Sequence, residues 1–371
     1  MKIVLSGGGT AGHINPALAV AEVLQKQGHE VFFAGTPQGV EKRLVGQTTI
    51  PFTAFEAAGF DRSAPWTLVT SVFKILKSSH KARVWMKELQ PDVVVGFGGY
   101  VSIPVALAAE KMHIPVVVHE QNSVMGMANK FIGKRAAQVA LTYDAAKKDI
   151  ADTSKCVVTG NPVRMSMFEA TRAQGRAMLD IPENARMLLV FGGSLGARHI
   201  NEALVAHKDE LLAVDDLYIV HITGPKEYDS VVAALDLTQG QTKRWNVMSY
   251  QDKMAETLAA CDCVVSRAGA TSLAEISALA IPALLIPFPF ATEDHQTVNA
   301  RSYVESGAAY LIADDQLDSP DFMHKVMALV TDDSLRERMS QAARQFGTCD
   351  AAGKLADVIT RAAEQATSGL Q

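Results

Sequence analysis

Residues 6 to 13 read "SGGGTAGH", and the histidine that closes them is the side chain of this sequence best placed to move a proton. Histidine changes its charge near neutral pH. A glycine-rich turn should lead here into a helix, whose positive end favours the neutral ring, so His13 suits the work of a general base on an attacking hydroxyl. Glu120, in "VVVHEQN", is the reserve candidate for base or for orienting the hydroxyl, and it can equally be a network group that holds its own loop. Ser194 in "GGSLG" can offer a hydroxyl and an amide to a phosphate. Arg164 in "GNPVR" can add a positive charge there or sit in an interdomain salt bridge.

The opening stretch also has the spacing Gly7-x-Gly9-x-x-Gly12 of a dinucleotide fingerprint. A nicotinamide site would add an acidic residue at the tip of the second strand, and "VFFAGTPQG" carries none there. That counts against a dehydrogenase. Three further turns, "GFGGYVS", "FGGSLGAR" and "SRAGATS", stand where strands should give way to helices and backbone N–H groups can face an anion. No Asp-x-Asp pair occurs in the sequence, so a carboxylate clamp for a divalent ion on a diphosphate has no obvious counterpart. Leaving-group charge then falls to helix ends, amides and cationic side chains. No metal or other cofactor is expected.

The elements that must position these groups can be read from apolar patterning. "KIVLSGGG", "HEVFFAG", "PDVVVGFGG" and "IPVVVHEQN" are short Val- and Ile-rich runs separated by helical patterns, which predicts a parallel sheet covered on both faces. From about residue 185 the arrangement restarts with "ARMLLVFGGSLGARHINEAL", followed by "LYIVHITG", "CDCVVSRAG" and "IPALLIPFP". The expected layout is a domain over 1–160, a second over 161–345, and a terminal helical segment over 346–371 whose place is not readable. "VVTGNPVRMSMF" is the linker candidate, because Gly160 and Pro162 interrupt regular structure.

At 371 residues, with 48% hydrophobic and 20% charged side chains, the chain suits two globular domains. A formal charge of -5 argues against a polyanion binder, so nucleic acid is not an expected partner. Cys156, Cys261, Cys263 and Cys349 are too scattered for a disulfide framework and wrongly spaced for zinc. The first residues enter a strand pattern without a signal-peptide core, and no apolar run approaches a membrane span.

The strings "GGGTAGHINPALA", "GFGGYVSIP", "HEQNSVMG", "GNPVR", "FGGSLGARHIN", "SRAGATSLAEI" and "DHQTVNA" together resemble the MurG family. These are bacterial transferases that add N-acetylglucosamine from UDP-N-acetylglucosamine to lipid I, giving lipid II. The resemblance covers nearly the whole chain in the right order. It implies an α/β architecture of two Rossmann-like doubly wound domains facing a cleft, the GT-B fold, and an inverting reaction in peptidoglycan synthesis. It implies donor contacts from Asn122, Arg164, Ser194 and Gln296, a ribose contact from Glu275, and uracil read partly by backbone near Gln251. Thr10, Ala11 and Gly12 would line the first loop, near the donor or acceptor diphosphate. The expected partners are UDP-N-acetylglucosamine, lipid I, an anionic membrane surface and other cell-wall synthesis proteins. The expected location is peripheral, at the cytoplasmic face of the cell membrane.

Residues 62 to 87 hold six Lys or Arg and no Asp or Glu. Val69, Val72, Phe73 and Leu76 recur at helical spacing. Lys74, Lys77 and Lys81 lie on another face, and the flanking Trp66 and Trp85 complete a surface suited to anionic lipid. The same pattern fits an ordinary amphipathic helix with its apolar stripe on the sheet. Two rival functions stand beside the transferase: a UDP-N-acetylglucosamine 2-epimerase of the same fold, and a non-catalytic nucleotide-sugar-binding partner.

Overall fold

The structure, a computed structural model, describes residues 1–57, 67–193, 195–346 and 350–368. Trp66, Ser194 and Cys349 lie outside the described residues. The chain forms two compact units, Met1–Arg164 with Asp350–Gln371, and Met165–Cys349.

The first unit is built on seven parallel strands: β1 (Lys2–Ser6), β2 (Glu30–Gly35), β3 (Phe52–Ala54), β4 (Val93–Gly96), β5 (Val116–Glu120), β6 (Gln138–Leu141) and β7 (Cys156–Val158). Their order across the sheet is β3-β2-β1-β4-β5-β6-β7, so β1 pairs with β2 on one side and β4 on the other. Alternate residues of one strand serve opposite faces. Ile3 and Leu5 pack with Ala17, Leu18 and Leu24 of the helix Ala11–Lys26, whereas Val4 packs with Met86, Val105 and Ile132 on the other side. Both faces are therefore covered, which explains the continuous rather than alternating apolar runs.

The terminal helix Ala351–Ser368 belongs to this unit. Leu355, Ala356, Ile359 and Ala363 recur on one helical face and are buried in the same cluster as the helix Ala11–Lys26. The chain thus leaves the first unit at Arg164 and returns to it near its end.

The second unit repeats the plan with β8 (Arg186–Phe191), β9 (Leu217–Ile222), β10 (Trp245–Met248), β11 (Cys263–Ser266), β12 (Ala283–Leu285) and β13 (Ala309–Leu311), in the order β10-β9-β8-β11-β12-β13. Leu188, Val190 and Val265 pack there against Ile200, Leu204, Phe322 and Val326 from its helices. In each sheet the strand order reverses once, between β1 and β4 and between β8 and β11. Ligands of such sheets sit beyond the carboxyl ends of the strands at that reversal.

Candidate active site

In the first unit the turns after β1 and β4 meet at the reversal. Gly8 N–H donates to the Gly98 carbonyl at 3.2 Å. Gly99 has φ +80°, and a Cβ there would stand 2.4 Å from the Gly8 oxygen, so glycine is what lets the two turns close. His13 lies in the first turn of the helix Ala11–Lys26, half-buried, with Nδ1 2.8 Å from the Gly8 carbonyl oxygen. A carbonyl only accepts, so Nδ1 carries the proton and Nε2 is the ring's acceptor. A carbon built on Gly98 would lie 3.1 Å from His13 Nε2 and 3.6 Å from Asn129 Nδ2, which places both groups at that turn.

Glu120 does different work. Its side chain is buried; Oε1 accepts from Asn122 N–H (3.0 Å) and Asn122 Nδ2 (3.2 Å), and Oε2 from Gly126 N–H (3.0 Å) and Asn129 Nδ2 (2.8 Å). Four donors on two oxygens make it the organiser of the loop after β5. The structure therefore favours the loop-holding reading over a base. Asn129, which sequence reasoning missed, also donates to the His119 carbonyl, and its buried Oδ1 has no partner among the described residues. Its one sequence signal is an amide on the buried face of the short helix Met127–Gly133.

His119 is fully buried, accepts from Gln121 Nε2 and donates through Nε2 to the Gly160 carbonyl at 3.1 Å. Burial pushes its pKa down to about 4, so it stays a neutral link between β5 and the linker. Arg164 closes that linker: its Nε donates to Glu22 on the helix Ala11–Lys26 at 3.1 Å, an ion pair within the first unit and not the interdomain bridge that the sequence suggested as the alternative. Exposed Thr10 caps this helix by position, without a cap bond from its side chain, and Ala11 and Gly12 form its first turn, half-buried.

In the second unit Gly196, at φ +79°, lets the turn after β8 approach the turn after β9; a Cβ on it would stand 2.0 Å from the Thr223 carbonyl. The helix Ala270–Ala278 starts directly after β11 and carries Glu275, half-buried. Gln251 accepts from Lys253 N–H at 2.9 Å, and Gln296 from Phe288 N–H at 2.9 Å, so each side-chain carbonyl fixes its own loop. Arg267, unremarked within "SRAGATS", is buried beneath these turns. It donates to the Pro287 carbonyl (3.0 Å) and pairs with Asp314 (2.5 Å). Asp314 in turn accepts from His199 Nδ1 at 2.8 Å, and this hydrogen bond raises the His199 pKa.

On the helix Thr67–Leu89, Lys74 and Lys77 are exposed, and so are Phe73 (69%) and Leu76 (55%), which the sequence reading placed on an apolar stripe. Trp85 departs from the expected patch: it is half-buried with its ring 5.5 Å from Phe55. Lys81 reaches back to the Ala54 carbonyl at 3.3 Å. Met127 and Phe131, on a helix sharing the same side of the sheet, are exposed as well. Among the described residues no three His, Cys, Asp or Glu side chains cluster as a metal site would need, and no helix is long and apolar enough to cross a membrane.

Comparison with known proteins places this geometry. The model of the glycosyltransferase family 28 N-terminal domain matches residues 3–141, and that of the family 28 C-terminal domain matches residues 187–355. The chain is 40% identical to the UDP-N-acetylglucosamine--N-acetylmuramyl-(pentapeptide) pyrophosphoryl-undecaprenol N-acetylglucosamine transferase of Bacillus licheniformis, over 97% of this chain and 98% of that one. The crystal structure of Acinetobacter baumannii MurG is similar with a TM-score of 0.73 at 30% identity, covering 97% and 99% of the two chains. A UDP-N-acetylglucosamine 2-epimerase structure is similar with a TM-score of 0.64 at 16% identity, covering 95% and 93%, a likeness of fold alone.

Proposed function

The chain belongs to glycosyltransferase family 28, and from that premise we infer that it is an N-acetylglucosaminyltransferase making lipid II. It moves N-acetylglucosamine from UDP-N-acetylglucosamine to lipid I, the undecaprenyl-diphosphate-linked muramyl-pentapeptide. The likeness that carries this reading is 40% identity along nearly the whole of both chains, where the epimerase fold reaches only 16%.

The observation that carries the chemistry is His13, whose Nδ1–H is taken by Gly8 and whose Nε2 is the acceptor. The acceptor hydroxyl gives its proton to Nε2 as its oxygen forms the bond to the anomeric carbon, and the bond from that carbon to UDP breaks on the opposite face, inverting the sugar. Charge on the departing diphosphate is met by helix N-termini and amides, with Ser194 and the guanidinium of Arg164, which keeps donors beyond the one given to Glu22. Glu275 holds the ribose, Gln296 and Asn122 the sugar, and backbone near Gln251 the uracil. No metal takes part.

The enzyme works as a peripheral protein on the cytoplasmic face of the cell membrane, where its lipid-linked acceptor lies and where other cell-wall synthesis proteins are its neighbours. Phe73 and Leu76 exposed beside Lys74 and Lys77, with Met127 and Phe131 exposed on another helix of the same sheet face, support this, since apolar and cationic groups together bind anionic lipid. The test is to incubate the chain with labelled UDP-N-acetylglucosamine and a lipid I analogue in the presence of EDTA. Transfer of label to lipid is expected. A mannosamine product would make it the epimerase, and binding without turnover the non-catalytic partner.

A further inference from the structure

Glu41 contributes nothing to the chemistry described so far, yet its side chain is wholly buried at the first glycine-rich turn. It stands on the short helix Val40–Val45 that follows β2, and its carboxylate folds back toward β1. Oε1 accepts from Thr36 N–H (2.9 Å) and from the Thr36 hydroxyl (2.5 Å), while Oε2 accepts from Gly9 N–H (3.4 Å). No Lys, Arg or His forms an ion pair with it among the described residues. Three glycines make its room: a Cβ on Gly8 would lie 2.6 Å from Oε1, one on Gly39 2.2 Å from Oε2, and one on Gly35 2.7 Å from its Cγ. A buried carboxylate without a counter-ion is costly unless hydrogen-bond donors converge on it, so the turn and the acid are fitted to each other.

We propose that Glu41 is the resident anion of the first glycine-rich turn and a positioning residue for His13. Gly8 is clamped between the Glu41 carboxylate and the turn after β4, where its N–H meets Gly98 and its carbonyl meets His13 Nδ1. Gly9 N–H, which Glu41 Oε2 accepts, shares one peptide plane with the Gly8 carbonyl, so fixing that plane aims the carbonyl, and the carbonyl selects the tautomer that leaves Nε2 as acceptor. The same carboxylate competes with a phosphate at this turn of fingerprint spacing, because Gly9 N–H, which would meet the phosphate, already serves Glu41.

The kinetic consequence rests on His13 acting as the base; the structural one does not. Full-length wild type and Glu41→Gln are compared by the ¹⁵N signals of the His13 imidazole, assigned by their loss in His13→Ala, and by steady-state transfer. Gln keeps the shape but turns one of the two acceptor oxygens into a donor facing other donors. The expected result is a single Nδ1–H tautomer in wild type and a mixture in Glu41→Gln, with kcat lower by about tenfold or more and the donor KM within about twofold. An unchanged tautomer overturns the proposal whatever the rate does. A changed tautomer with unchanged kcat sustains it and instead removes His13 as base. Should Glu41→Gln not fold, Thr36→Val removes only the hydroxyl donated to Oε1: a partial shift toward the other tautomer supports the proposal, and none overturns it.

Discussion

At the scale of single residues, the first unit divides labour between a histidine and two carboxylates. His13→Ala should lower kcat by about 10²-fold or more, the usual size of a general-base effect, while the dissociation constant for UDP-N-acetylglucosamine, measured by calorimetry, changes little. A modest loss of rate would retire it as the base. Glu120→Ala strips the loop after β5 of an acceptor for four donors. It should cost about 1–3 kcal/mol or more in urea unfolding, since buried donors are left unpaired. Both acids show why residue type alone did not assign roles. Glu120 stood out beside a histidine and an asparagine, and Glu41 did not stand out at all. Its signal was the run of glycines at 35 and 39, which looks like turn chemistry until the carboxylate they accommodate is seen.

At the scale of elements, the strand-to-helix turns depend on close backbone approach. Gly99→Ala and Gly196→Ala each force a Cβ into a left-handed conformation and against a carbonyl, at 2.4 Å and 2.0 Å respectively. Each should cost about 2 kcal/mol or more. Their consequences should separate in kinetics: Gly99→Ala disturbs the peptide that holds His13 and lowers kcat, and Gly196→Ala disturbs the turn after β8 and raises the donor KM. Equal effects of both on the two constants would contradict these separate roles for the two turns. The helix Thr67–Leu89 shows a limit of periodicity. A 3.6-residue repeat identifies an apolar stripe but not whether protein or lipid covers it; Phe73 and Leu76 point outward while Trp85 packs on Phe55.

At the scale of the whole molecule, each unit buries one neutral histidine, His119 and His221, with burial pushing both pKa values down to about 4. The unfolded chain protonates these rings below about pH 6.5 and the folded chain only near 4, so stability falls as pH drops through that window. Going from pH 7 to pH 5 should cost about 2 kcal/mol per ring, read as a lower urea midpoint. Replacing His221 by Gln should flatten that dependence in the second unit; an unaltered slope would show that the ring is not the source. Membrane docking is tested by pelleting with anionic vesicles. Phe73→Ser with Leu76→Ser, or Lys74→Glu with Lys77→Glu, should each lower the bound fraction about tenfold. Unchanged pelleting in both would sink the docking surface.

The sequence by itself determined the two Rossmann-like units, the family and the histidine to test first, because apolar runs, helical repeats and glycine-rich turns are local signals that parallel α/β sheets oblige a chain to carry. Only the tertiary structure decided where the terminal helix Ala351–Ser368 packs, since an apolar stripe does not name its partner. Hydrogen-bond accounting likewise decided that Glu120 organises a loop and that Arg164 pairs with Glu22, because saturation depends on which donors converge from distant strands. The same holds for the opening "SGGGTAGH". Its spacing announces an anion site, and the carboxylate buried against it, accepting from Gly9 N–H, is that of Glu41, a residue 28 positions after His13 in the chain, brought there by the return of β2 alongside β1.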